Sequence, residues 1–234
     1  MTEKVNSNDM PSNPSFLIKA FESAKSGGYD DLSNYILCCP DELDAVIPKE
    51  YGSIVGDPDL IGGRTLSMVL AKFKPTSVAQ VPEYISMLHA MKLHVDFNQR
   101  ADSGATAPMF ASHNGNMIAL DFFACCEDVD WKKRTTSGYS TYDFAADNFH
   151  YEALTMLAEK VPDAVTADTA WVFLKQKLTG ITPEKRIDMA DRIERTLCAI
   201  EAASKQKRLF EAGMRILDAD IGDKKPDMNH PFIT

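Results

Sequence analysis

Cysteine and histidine are the residues of this 234-residue chain best suited to nucleophilic or metal chemistry, with five of each. A thiol beside an imidazole gives a nucleophile with its own general base, and Cys125 or Cys126 with His113 or His150 could form such a pair. Four of the five cysteines, however, fall in two doublets, Cys38-Cys39 and Cys125-Cys126, each closing an apolar run. That placement predicts structural thiols at the ends of core helices. Neither doublet has the C-x-x-C form or histidines at metal-ligand spacing. His89 and His94 miss the i, i+4 spacing of a helical zinc site, and no H-E-x-x-H occurs. Asp128 and Asp130 straddle a turn and read as solvated. Gly62-Gly63 is an isolated doublet, and neither glycine-rich phosphate-binding motif is present. These residues predict a protein that is not an enzyme, with no catalytic residues, cofactor or metal.

The elements that position these residues belong to an ordinary globular chain, 44% hydrophobic and 25% charged. It can bury a core without staples, which excludes disorder of the whole chain. A net charge of −9 argues against nucleic acid and anionic membranes as partners, since both require a basic footprint. The longest basic run mid-chain is Lys132-Lys133-Arg134. No window approaches a membrane span, because the best, Ile118 to Cys126, is broken at Asp121. An odd number of cysteines fits a reducing, cytoplasmic compartment. Residues 1–15 are polar, with Asn and Pro and no apolar stretch, and predict a disordered segment rather than a signal peptide.

Internal repetition is the strongest signal. The stretch beginning Gly104-Ala-Thr-Ala-Pro-Met-Phe aligns on Gly138-Tyr-Ser-Thr-Tyr-Asp-Phe at a constant offset of 34. Phe110 pairs with Phe144, Ala111 with Ala145, Asn114 with Asn148, Leu120 with Leu154, and Val95-Asp96-Phe97 with Val129-Asp130-Trp131. An earlier copy starts at Gly63-Arg-Thr-Leu, 41 residues before Gly104. Its extra residues are expected between Phe73 and Pro82, where Lys74-Pro75-Thr76-Ser77 and Val81-Pro82 should interrupt a helix. A further copy spans Phe16 to Pro40. Gly104, Gly115 and Gly138 are expected at turns that need positive φ.

These units resemble the ankyrin repeat, whose pattern is Gly-x-Thr-Pro-Leu-His-x-Ala-Ala followed by Gly-His and an apolar second helix. One unit keeps Gly104, Thr106, Ala111, Gly115 and Leu120; the next keeps Gly138, Ala145, Ala146, His150, Glu152, Ala153 and Leu154. The Thr-Pro-Leu-His tetrapeptide is missing, replaced by Thr106 to Met109 and by Ser140 to Asp143. The resemblance implies an all-α fold, an ankyrin-like repeat solenoid of about four helix-turn-helix units over residues 16–161. It also implies protein binding through loop tips and the concave face of the first helices. The residues so placed are Arg100, Asp102, Ser103, Lys133, Arg134 and Thr136 at the tips, with His113, Asn114, Asp147 and Asn148 near helix ends; Asp59-Leu60-Ile61 would form another tip. Tyr139 and Trp131 are candidate anchors.

Residues 162–219 read as a C-terminal helical extension, either a cap on the last unit or a module of its own, and 220–234 as a tail. Thr182-Pro183-Glu184 starts a long helix whose Ile187, Ala190, Ile193, Leu197 and Ile200 form an apolar stripe; Leu209 to Leu217 predict a further helical stretch that Gly213 could bend, so that residues 183–219 form either one rod or a hairpin. The resulting expectation is a cytoplasmic interaction protein with an unidentified protein partner, an adaptor or a bacterial effector acting in a host cytosol. The alternative is an enzyme or enzyme regulator whose active part is the C-terminal helical region.

Overall fold

Short helices follow from the punctuation of the sequence. In this computed structural model, residues 14–46 and 63–222 are described, and all their regular structure is helical. The tip at Asp59-Leu60-Ile61, the segment 1–13, the side chains from Leu209 to Leu217 and the tail after Gly222 lie outside the described parts. Helix α1 (Pro14–Ser26) includes Pro14 and Ser15, the last two residues of the segment expected to be disordered.

Gly27, at φ 75°, turns α1 toward α2 (Asp30–Cys38). Helix α3 (Leu66–Lys72) leads to α4 (Val81–Lys92) through Phe73–Ser77 and a 3-10 turn at Val78–Gln80. The interruption lies where the sequence placed it, except at Pro82. That proline sits in the first turn of α4, where its missing N–H leaves no helical bond unmade. Helix α5 (Ala107–His113) is joined to α6 (Met117–Ala124) through Gly115 at φ 62°. Helix α7 (Thr141–Asp147) is joined to α8 (Tyr151–Lys160) through Phe149 at φ 57°. Phe149 stands 34 residues after Gly115, so the left-handed turn recurs even where glycine does not.

Backbone bonds recur at the same offset. Asn116 N–H donates to Ala111 O and His150 N–H to Ala145 O, both at 2.9 Å. Ala101 N–H donates to Ala105 O and Thr135 N–H to Tyr139 O, again both at 2.9 Å. Gly63, Gly104 and Gly138 all have positive φ at the entries to α3, α5 and α7.

The helices stack in two rows. Helices α1, α3, α5 and α7 form the first row, each against the next, while α2, α4, α6 and α8 form the second. Small residues on the first row, including Ala107, Ala111, Ala145 and Ala146, are fully buried and let the rows close. Leu88, Leu120, Phe123, Leu154 and Leu157 fill the space from the second row. Buried polar bridges tie neighbours: Asn116 donates to Ala71 O (3.0 Å) and to the Tyr84 hydroxyl (2.7 Å), which donates to Leu70 O (2.8 Å).

The rows do not end at α8. Helix α9 (Ala167–Gly180) packs on α7, and α11 (Ala190–Gly222) packs on both α8 and α9. The helix expected from Pro183 is broken at Met189: α10 (Pro183–Asp188) is capped by Thr182, and Met189 leaves helical geometry before α11 begins. Ile187 is consequently 77% exposed rather than part of the apolar stripe. The buried stripe is formed by Thr196, Ile200 and Ala203, flanked by Ile193 and Leu197. Helix α11 is 33 residues long and continues through Gly213 without ending. No helix among the described residues is long and apolar enough to cross a membrane.

Candidate binding face

Thr65, Thr106 and Ser140 precede α3, α5 and α7 in extended geometry, so the three helices start in register. With their alanines inward, they present Phe110 and Phe144 at equivalent outward positions, 34 apart and only partly buried. Between them lies a cleft of about 220 Å³ whose lining includes Arg64, Lys72, Ser103, Phe110, His113 and Phe144. The Arg64 guanidinium lies 4.8 Å from the centre of the Phe110 ring. His113 meets Phe144 edge-on at 5.5 Å, Tyr139 lies 5.2 Å from Phe144, and Tyr139 stacks on Phe173 of α9 at 3.9 Å. An aromatic row thus runs along the first-row face into α9.

His113 and Asn114, with Asn148, converge beside this cleft. Asn114 and Asn148 turn their side-chain amides back onto Phe110 O (2.8 Å) and Phe144 O (3.0 Å). Asn148 also lies 3.0 Å from His113 Nδ1, and His150 Nε2 lies 3.2 Å from His113 O. A side chain at Gly115 would strike the His150 ring, so glycine serves both the turn and this approach. Asp147 accepts from Lys177 Nζ of α9 at 2.9 Å, and Arg192 of α11 donates to Asn148 O at 3.2 Å. These two residues are tied to the C-terminal helices.

Packing lowers the pKa of His113, reinforced by Lys177 and opposed by Asp147, with Lys72 and Arg64 adding to the lowering. His150 is lowered by burial as well, against its bond to His113, with Arg192 and Lys74 adding. Both imidazoles are favoured neutral in the fold. Their contribution to stability is complete above the ordinary value of 6.5 and is lost as pH falls from there through the folded pKa values. Urea unfolding at pH 7.5 and 5.5 should therefore show a lower midpoint at 5.5, and His150→Gln should narrow the difference; an unchanged difference contradicts this assignment.

The predicted tip residues split into two groups. Arg100 Nη2 donates to Arg134 O (2.8 Å), and Thr136 donates to Ser103 O from its N–H (2.9 Å) and its hydroxyl (3.1 Å). Arg134 itself donates to Gly138 O at 2.7 Å and reaches Asp143 at 3.4 Å. Arg100, Ser103, Arg134 and Thr136 hold adjacent tips together. Asp102 is exposed and Lys133 half-buried. Trp131 and Tyr139 are each half-buried, Tyr139 engaged by α9.

Asp143, Arg64 and Lys72 lie outside the sequence-based set. Asp143 is fully buried and accepts from Ser140 N–H (2.8 Å), Ser140 Oγ (2.7 Å), Thr166 Oγ1 (2.9 Å) and Thr169 Oγ1 (2.8 Å), besides Arg134. The pattern Ser140-x-x-Asp143 is a capping box visible in the sequence, but the donors from Thr166 and Thr169 are not. Arg64 and Lys72 were likewise missed as cleft residues.

The cysteine reading needs correction. Each doublet buries one thiol more than the other: Cys125 and Cys38 are exposed, Cys39 is intermediate and Cys126 is buried, its pKa raised by burial. Successive residues near a helix end cannot share one face. Cys125 shares a hollow of about 520 Å³ with His89 and Asp121, not with His113 or His150. Asp121 pairs with Lys160, His89 packs edge-on against Phe122 at 5.0 Å, and among the described residues no hydrogen bond links Cys125 to His89. No group of three or more metal-ligating side chains is assembled among the described residues.

Comparison with known proteins places the architecture in the all-helical class. No family model matches the sequence, and no curated protein matches it. Among solved structures, the chain is similar to one in the crystal structure of the yeast ribosomal protein Rps3 in complex with its chaperone Yar1. The identity is 16% and the TM-score 0.50, covering 64% of this chain and 95% of that one. At that identity the likeness is one of fold.

Proposed function

We propose that this chain is an ankyrin-like repeat protein, a non-enzymatic module that binds a partner protein through the first-row helix face and its loop tips. The stacking of helix pairs, with turns and hydrogen bonds recurring at 34 residues, supports the repeat reading. On that reading α9 and α11 continue the two rows and act as the cap, which shields the apolar end of the array. The observation that carries the binding role is the half-buried aromatic row beside charged groups along α3, α5 and α7. Binding energy concentrates in such aromatic and arginine anchors. Within the proposed surface, Asp102, Lys133, His113 and Asn114 face the partner, while Arg100, Ser103, Arg134 and Thr136 keep the tips in register and Asp147 and Asn148 join the face to the cap. A cytosolic location, as adaptor or effector, fits exposed free thiols.

The second reading places activity in the C-terminal helices. It is favoured by a groove of about 820 Å³ between α9 and α11, where Trp171 is 48% exposed.

Partner recovery from cell lysate separates the two. His113→Ala and Asp102→Ala should each reduce recovery of the bound protein several-fold when compared with wild type at equal amounts of folded protein by circular dichroism; Arg134 is avoided because it supports Asp143. Recovery unchanged by both, but abolished by Trp171→Ala, favours the second reading.

A further inference from the structure

His113 stands on the first-row face where solvent protons reach it, and its hydrogen bonds fix which ring nitrogen is bare. The Asn148 amide bonds to Phe144 O at 3.0 Å, and a carbonyl only accepts, so the atom placed there is the donor Nδ2. That same Nδ2 lies 3.0 Å from His113 Nδ1, which therefore accepts and carries no proton. The proton of the neutral ring sits on Nε2. By the same reasoning His150 donates from Nε2 to His113 O at 3.2 Å. The two imidazoles thus respond differently to acid. A proton added to His150 leaves its Nε2 donor in place, whereas a proton added to His113 Nδ1 sets two donors against each other.

The charged groups around the ring offer its cation little compensation. Helix α5 has no titratable side chain besides His113. Facing the ring are Lys177 of α9, Asp147 of α7, Lys72 of α3 and Arg64 just before α3, and of these only Asp147 favours a cation. Asp147 already accepts from Lys177 at 2.9 Å. Beyond Asn148, His150 is faced by Arg192 of α11, Lys74 and Glu152.

From this geometry we infer that His113 is a proton switch on the binding face: Asn148 holds its neutral ring against Phe144, and protonation frees the ring and releases the partner. The inference rests on the partner-binding reading of this face and adds its regulation. The ring meets Phe144 edge-on at 5.5 Å and lines the cleft of about 220 Å³, so its departure alters the surface that a partner meets. Packing of the ring, with the cations beside it, keeps its pKa below the ordinary 6.5, so binding is retained above that value and lost as pH falls below it.

The test follows the full chain by NMR from pH 7.5 to 5.0, while a photocrosslinking benzoylphenylalanine at position 110 reports partner contact in cell lysate at both limits. The inference expects the Nε2–H tautomer of His113 at pH 7.5. On acidification the Asn148 amide and Phe144 ring signals should shift with the midpoint of His113, and not with that of His150. The adduct should fall several-fold from pH 7.5 to 5.0 as the neutral fraction shrinks. His113→Gln, whose side-chain carbonyl accepts from Asn148 and takes up no proton, should flatten this fall. The titration of the unsubstituted chain decides the switch even where that variant fails to fold. A proton on Nδ1 at pH 7.5, or Asn148 signals that ignore the His113 titration, overturns the switch and leaves the binding face standing. An equal fall of the adduct in His113→Gln does the same. If no adduct forms from position 110 at either pH, the binding-face reading falls and its regulation with it.

Discussion

Asp143→Ala should destabilise the fold by about 2–4 kcal/mol, the cost expected when several buried donors lose a shared carboxylate acceptor. The carboxylate is fully buried and collects hydroxyls from Ser140, Thr166 and Thr169, the Ser140 N–H and the Arg134 guanidinium. Alanine would leave the Ser140 N–H without its acceptor and the hydroxyls with only the Ser140 Oγ–Thr166 Oγ1 pair (2.7 Å) and the bond from Thr169 Oγ1 to Thr166 O (3.0 Å), and an unpaired buried donor carries its full desolvation cost. The network also joins α7 to the start of α9, since Thr166 and Thr169 lie 23 and 26 residues beyond Asp143. Asp143→Asn keeps one acceptor oxygen but points an amide at existing donors, so it should fall between wild type and alanine. Urea unfolding followed by far-UV circular dichroism measures both. A loss under about 1 kcal/mol for Asp143→Ala would show that the donors find other partners, and would remove Asp143 as the link between rows and cap.

Removing residues 166–234 should have a larger effect. Helix α9 covers α7, with Ala167, Ala170 and Leu174 buried against it, and α11 adds Ile200 and Ala203 over α8 and α9. Burial of a side chain such as Leu174 or Ile200 contributes roughly 1.5–3 kcal/mol each, and the truncation exposes their partners on α7 and α8 at the same time. Asp143 would lose two donors, and Tyr139 its stacking on Phe173. The shortened chain is expected to lose cooperative unfolding and to bind dyes that report exposed apolar surface. Cooperative unfolding near the wild-type midpoint would instead mean that α9 to α11 form a separate module, as the alternative function requires.

Several of these features were legible in the residues. Gly104 and Gly138 marked the 34-residue offset, and both adopt the positive φ that their position implied. Small residues such as Ala111 and Ala145 indicated the closely packed first helices. What stayed hidden depends on long-range pairing. Phe149 occupies the position of Gly115, and only the fold shows that it accepts φ 57° while its ring is buried to 3% exposure. The strain of a left-handed residue is thereby offset by apolar burial. Continuation of the rows through α9 and α11 has no glycine signature, because Thr166 and the turn at Pro162–Ala164 replace the usual entry. Ile187 fitted a helical stripe by spacing, but the break at Met189 rotates it away from the core. The resemblance places tip residues Arg100, Ser103, Arg134 and Thr136 on a partner-binding surface, although each bonds to a neighbouring tip or turn.

The proposed docking of a partner protein on the face formed by α3, α5 and α7 can be tested at the face itself. The most direct measurement places a photocrosslinking benzoylphenylalanine at position 110, or at position 37, where Leu37 on α2 is 76% exposed, and irradiates the full chain in lysate of its native cell. Docking on this face predicts a discrete adduct from position 110, reduced several-fold when His113→Ala is added, and none from position 37. Adducts from position 37 with none from position 110 would contradict it.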